Sequence, residues 1–257
     1  MPTERSSAGD PARTLRLLWR ESDGPTDTRR GPRQGLTVER VVAAAIGLAD
    51  AEGLGAVTMR QIAHLLGVVP MSLYTYVPAK AELLDLMLDT TYSQMPRGDL
   101  TGGPWRERLT AIAHENRELF DRHPWVAEVA TSRPPLGPGV MAKYEHELRA
   151  FAGLGLDDVE MDAALAFLLG FVHAAARSAA EVAAIRQDSA MSEEQWWAAN
   201  GPLLARVFDQ DKYPTAARVG AAVGAVHGAA YSPDHAYHFG LQRVLDGLGV
   251  LIDTHST

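Results

Sequence analysis

No cysteine occurs in the 257 residues, so disulfides and thiolate metal sites have no part in fold or mechanism. Long apolar runs are missing too: nowhere do 18 consecutive apolar residues occur, and MPTERSSAGDPARTLRLLWR lacks an apolar segment with a small-residue cleavage site. These absences predict a soluble, cytoplasmic protein without membrane contact. There is no alternating strand pattern and no internal repeat, which leaves helical periodicity and an all-α fold. Positive charge is scarce, with 24 Lys and Arg against 32 Asp and Glu. The deficit is uneven, since residues 1–95 hold ten of those cations and eleven of the acids, and the rest hold fourteen and twenty-one. Any nucleic-acid binding therefore rests on a few placed cations and backbone N–H groups, not on a broad basic field.

Enzyme signatures are missing as well. There is no nucleophile elbow, phosphate loop or dinucleotide fingerprint; GLGLDD near Gly153 lacks the third glycine and a preceding strand. His114 and Glu118, and His235 and His238, have ligand-like spacing, but neither pair has an identifiable third ligand. The acidic run Asp157, Asp158, Glu160 and Asp162 sits where a helix begins and suits its dipole. The expectation is a non-enzyme with no cofactor and no metal.

What is present centres on TMRQIAHLLGVVPMSLYTYVPAK, residues 58–80. Thr58-x-x-Gln61 reads as a capping box, and Met59, Ile62, Ala63 and Leu66 recur at helical spacing. Gly67 stands where a left-handed cap is needed, and Pro70 in the first turn of a second helix over about 69–76. Two short helices around a sharp corner form a helix-turn-helix, a unit that reads DNA. Ahead of it, Thr37 caps a helix carrying Val38, Val41, Val42, Ala45, Ile46 and Ala49 on one face, and behind it Leu83, Leu84, Met87 and Leu88 mark another.

Three regions follow. Residues 1–35, rich in Pro, Gly, Ser, Asp and Arg, read as a flexible arm. Within the arm, Leu15, Leu18 and Trp19 could form a short docking helix, while Arg29, Arg30 and Arg33 form a basic cluster that reads as part of a solvated linker or, alternatively, as an arm reaching a minor groove. Residues 36–95 are the DNA-binding head. The breaker-rich PRGDLTGGP, 96–104, opens a larger helical domain over 96–257 for ligand binding and dimerisation. Its helices are expected over 105–122, 125–130, 139–152, 157–186, 192–208 and 233–252, with 209–232 unassigned. All six Phe and four of the five Trp lie there. Phe120, Tyr144, Phe167, Phe171, Trp196 and Trp197, with His114, Asn116 and His173 as polar handles, read either as an apolar ligand pocket or as plain core. Two stripes, Leu165, Leu168, Val172 and Ala176, and Leu241, Val244, Leu245 and Leu248, read either as a dimer interface or as one monomer's core.

The run ADAEGLGAVTMRQIAHLLGVVPMSLYTYVPAKAELLDLML resembles the tetracycline-repressor family of bacterial regulators, and FDRHPW and FGLQRVLDGL extend the likeness more loosely. The resemblance implies a repressor that binds a palindromic operator in double-stranded DNA as a homodimer and is released by a small-molecule effector. An activator, or a DNA-binding protein of the same fold without a ligand, is the alternative. It also implies that Pro70, Met71 and Ser72 face base edges, and that Arg60 reaches a guanine. Tyr74, Thr75, Tyr76 and Lys80, with Thr58 and Gln61, match phosphate contacts. Finally, it moves the two stripes toward the dimer reading.

Overall fold

The computed structural model describes residues 6–20, 35–129, 133–189 and 191–255. Among these the chain is helical: α1 Pro11–Leu18, α2 Val38–Glu52, α3 Met59–Leu66, α4 Pro70–Leu73, α5 Lys80–Gln94 and α6 Trp105–Arg122 come first. They are followed by α7 Pro138–Arg149, α8 Asp158–Ser189, α9 Glu193–Val207, α10 Pro214–His227 and α11 Pro233–His255. Two 3-10 turns, Leu54–Ala56 and Pro124–Glu128, complete the order.

Two cores organise the helices. The first gathers Val41, Val42 and Ala45 of α2, Ile62 of α3, Leu73 of α4 and Leu83 to Leu88 of α5. It also takes in Leu18 of α1 and, from the body, Leu119, Trp125, Val126 and Val129. The second joins Leu109, Ile112 and Ala113 of α6 with Leu165, Leu168 and Val172 of α8 and Tyr237 to Leu248 of α11. Phe120 packs against both. The joint at 96–104 therefore interrupts the helices without interrupting the packing between head and body.

Three expectations are corrected. Residues 11–18 are not a flexible arm: Asp10 caps α1 by accepting from Arg13 N–H at 2.9 Å, Pro11 occupies its first turn, and Leu18 buries against the head. Arg29, Arg30 and Arg33 lie outside the described residues. The recognition helix is shorter than 69–76, because Val69 is extended, without a side-chain cap bond, and Tyr74 to Tyr76 form a turn. The segment from Trp125 is a 3-10 turn and not an α-helix. Within 209–232, α10 forms on small apolar residues whose periodicity is too uniform to mark a face.

Glu82, Asp85 and Asp89 are buried along α5. Each accepts a backbone N–H from a neighbouring segment: Glu82 Oε1 from Asp10 at 3.3 Å, Asp85 Oδ1 from Ser7 at 2.8 Å, Asp89 Oδ1 from Val140 at 2.9 Å. Burial outweighs these bonds at Asp85 and Asp89 and pushes both above the ordinary carboxylate range. Asp85 is the harsher case, since its Oδ2 is buried without a partner and Glu82 lies beside it. A carboxyl with a raised native pKa binds more protons folded than unfolded, so stability falls as pH rises from about 4 through the raised value. His114, held low by burial, gives the opposite slope below about pH 6.5. Asp85→Asn separates the two. It should be more stable than wild type by about 1 kcal/mol at neutral pH, losing that advantage as pH is lowered toward about 4. Urea unfolding across the range checks this, and a constant difference would show that Asp85 carries no buried charge.

Candidate functional site

Local chemistry places the DNA-reading face. Thr58 Oγ1 accepts from Gln61 N–H at 3.2 Å, starting α3 with the threonine half of the expected box. Gly67 then turns left-handed, φ 67° and ψ 32°, and its N–H bonds back to Ala63 and His64 while Val68 N–H reaches Ala63 O at 3.0 Å. That corner swings α4 across α3. Leu73 is fully buried and pins α4 down, as its spacing predicts.

On the opposite side Pro70, Met71, Tyr74 and Thr75 are exposed, and Ser72 and Tyr76 half-buried, with Tyr76 packing on the head core. Arg60, Thr58 and Gln61 are exposed along α3, and Lys80 is half-buried at the start of α5. Arginine can grip guanine through two hydrogen bonds, a hydroxyl can bond several bases, and a thioether or pyrrolidine can touch a thymine methyl. The arrangement presents one short reading helix flanked by phosphate-contact groups.

Head and body meet through a polar clamp. Asp50 Oδ1 on α2 lies 2.8 Å from His123 Nδ1 and accepts from Trp125 Nε1 at 2.8 Å, both at the Pro124–Glu128 turn. Behind that turn, His173 Nε2 of α8 lies 2.7 Å from Ala127 O, and its ring stacks on Phe120 with centroids 5.5 Å apart. The turn thus touches the first head helix on one side and a long body helix on the other. FDRHPW carries the residues of this clamp, but its partner Asp50 is distant in sequence and no local pattern announces it.

The expected pocket residues do not converge. Phe120 and His173 form one group at the turn, and Phe171 stacks on Tyr237 with centroids 5.8 Å apart while His114 faces the same ring at 6.2 Å. Tyr237, not among the expected pocket residues, is buried with an unpartnered hydroxyl, which burial pushes up to about 12, and Arg117 lies over its ring. Asn116 is occupied structurally, donating to Ile112 O and to the buried Glu147, which Lys143 also contacts at 2.5 Å. Tyr144 is exposed and donates to Asp162; Phe167 is exposed on the outer side of α8. Trp196 and Trp197 pack edge to face on each other at 4.8 Å on α9, away from the rest. The open groove nearest these residues, about 330 Å3, runs between α6 and α11 and is lined by Arg106, Glu107, Thr110, Ala111, His114, Gln242 and Leu245. The acidic run is accounted for by a reciprocal cap, Asp157 N–H to Glu160 Oε2 and Glu160 N–H to Asp157 Oδ1.

The proposed dimer residues also change role. Leu165, Leu168, Val172, Leu241, Val244, Leu245 and Leu248 are buried within one chain, because α8 and α11 turn these stripes toward each other and toward α6. Ala176 is half-buried at the end of its stripe. What the same helices leave exposed is a second apolar face, with Val159 at 78%, Phe167 at 56%, Phe239 at 58% and Val250 at 69% exposure. Asp158–Ile185 is long and apolar, with mean hydropathy 1.5, and its most apolar stretch is 22% buried.

Residues 41–87 match the family model described as bacterial regulatory proteins, tetR family, and residues 97–252 match the tetracyclin repressor-like C-terminal domain. The chain is 43% identical over 253 residues to the HTH-type transcriptional repressor DrrR1 of Streptomyces coeruleorubidus, covering 97% of this chain and 90% of that one. It is 34% identical over 137 residues to an HTH-type transcriptional regulator of Saccharopolyspora erythraea, covering 53% and 58%. Among solved structures, apo ActR of Streptomyces coelicolor superposes with a TM-score of 0.68 at 27% identity, over 85% of this chain and 97% of that one. ActR in complex with actinorhodin gives 0.67 at 26% identity, over 84% and 96%.

Proposed function

This chain belongs to the tetracycline-repressor family of bacterial transcriptional regulators, and we propose that it represses by binding a palindromic operator as a homodimer that a small molecule releases. The observation that carries the DNA reading is the α3–α4 corner: Leu73 buried beneath, Met71, Tyr74 and Thr75 exposed with Ser72 half-buried among them, and Arg60 exposed on α3. A two-fold dimer sets two such corners roughly 34–36 Å apart, one turn of the duplex. The exposed faces of α8 and α11 are its interface. The α6–α11 groove, with His114 and Gln242 among its polar groups, is large enough for an organic effector. ActR, solved with actinorhodin bound, supports a small organic ligand for this body as well. Binding there must favour one arrangement of the heads by about 1–3 kcal/mol to act as a switch. A DNA-bound regulator works in the cytoplasm.

The test is selection of duplexes from a random library by the purified protein, followed by anisotropy titrations with two variants. Arg60→Ala should cost about 1–3 kcal/mol on the selected duplex and relax preference at one base pair. Lys80→Ala should weaken all duplexes alike and lower the slope of log affinity against log salt by about 1. If no palindromic duplex is enriched, the proposal falls.

A further inference from the structure

Residues 6–20 lie ahead of both spans matched by the family models, yet they are bonded to three separate parts of the molecule. To α5 they give Ser7 N–H, on Asp85 Oδ1 at 2.8 Å, and Asp10 N–H, on Glu82 Oε1 at 3.3 Å. To the segment leading into α7 they give Ser6 Oγ on Arg133 O at 2.7 Å, Ser7 Oγ on Pro134 O at 3.2 Å and Trp19 Nε1 on Leu136 O at 2.7 Å. To α2 they give an ion pair, Arg20 with Glu39 at 2.9 Å. Leu18 enters the head core alongside these contacts.

Two details mark this as more than a tail resting on a surface. Ser7 is the one non-glycine residue with positive φ, 53°, among the described residues, and that conformation aims its N–H at Asp85. A serine pays for a left-handed backbone only where surrounding contacts hold it there. The docking is also finely balanced, since Thr14 Oγ1, Glu82 Oε2 and Asp85 Oδ2 are buried beneath α1 without partners. The acidic row along α5 has the same logic throughout: Glu82 and Asp85 hold the N-terminal segment, and Asp89 holds the start of α7.

We propose that residues 6–20 are a positioning element for DNA recognition, a strap that ties head to body across α5 and fixes the separation of a dimer's two reading helices. The strap rests on the regulator reading above. Helix α5 is the covalent route from head to body, and without the strap only the Asp50 clamp and the shared core around Trp125 restrain the head on it, so it hinges more freely. Two hinged heads must give up that freedom when they seat on successive major-groove faces, which weakens binding without removing any contact to DNA.

Ser7→Pro and Ser7→Gly in the full-length protein make the test. Proline cannot adopt φ near 53° and has no N–H, so it detaches the strap; glycine adopts that backbone freely and keeps the N–H. Both are titrated against the duplex selected by the wild type, and amide exchange of α5 is read by mass spectrometry without DNA. Ser7→Pro should bind about tenfold more weakly and speed exchange in α5, with Ser7→Gly staying close to wild type in both. Faster α5 exchange with unchanged or tighter DNA binding overturns the proposal, as does unchanged exchange in α5. If the wild type selects no duplex, the regulator reading fails, and the exchange data still decide whether the strap restrains α5.

Discussion

Gly139→Ala should destabilise the protein by about 3 kcal/mol, lowering the thermal midpoint by roughly 6–12 °C. Gly139 stands in the first turn of α7, where that helix crosses α5, and a methyl group there would sit 2.0 Å from the backbone carbonyl oxygen of Asp89. A carbonyl inside a helix cannot step aside as a flexible side chain can. Either α7 lifts away or α5 bends, and in both cases Asp89 loses its 2.9 Å bond from Val140 N–H. A buried carboxylate then has fewer donors to offset its desolvation. Gly47→Ala is the control. Gly47 is exposed in α2 with nothing within 4 Å of an added methyl, so alanine there should stabilise by about 0.5–1 kcal/mol through helix propensity. Calorimetry on both variants decides the matter. A Gly139→Ala protein as stable as wild type would mean that α5 and α7 do not approach as closely as described.

How much of this was legible beforehand depended on how local the cause was. The α3–α4 corner could be read because Thr58, Gly67, Pro70 and Leu73 each act within one turn of where they stand. Helix α6 was readable to its ends, Trp105 and Arg122, since proline precedes it and His123-Pro124 follows. Of the strap only the short helix was legible, from Leu15, Leu18 and Trp19; its bonds were not, because its anchors, Glu82 and Asp85, are more than 70 positions away. Polar pairing across that distance leaves no periodic trace. The pocket failed for a different reason: aromatic residues at helical spacing cover a core as readily as they line a cavity, and Phe167 does neither within one chain. The stripes on α8 and α11, read toward a dimer interface, are buried within one chain, because a helix with a second apolar side does not say which one stays inside.

Phe167→Glu tests that distinction and should leave the fold intact while taking the dimer apart. Phe167 belongs to a row on α8, Val159, Ala163, Phe167, Gly170 and Ala174, that recurs every three or four positions and is exposed throughout. Small residues around one large ring let a facing helix approach closely, and α11 offers Phe239, Gly247 and Val250 on its own outer side, with Arg243 lying over the Phe239 ring and paired to Asp246 between them. Exposed apolar side chains gathered on one face mark an interaction surface, and a second copy supplies an identical patch for a two-fold contact. A glutamate at its centre would be buried without a partner in the dimer but solvated in the monomer. Sedimentation should therefore show a monomer with unchanged helical circular dichroism. Binding to a palindromic duplex should fall by about 10²–10⁴, since the second head no longer binds as part of the same molecule. Leu168→Ala, one position away, should do the reverse. Leu168 is fully buried in the core shared by α6, α8 and α11, so its truncation should cost about 2–5 kcal/mol of unfolding free energy and leave the dimer in place. If Phe167→Glu remains dimeric while Leu168→Ala dissociates, the interface belongs to the inner stripes after all, and α8 must be turned about its axis relative to the arrangement described.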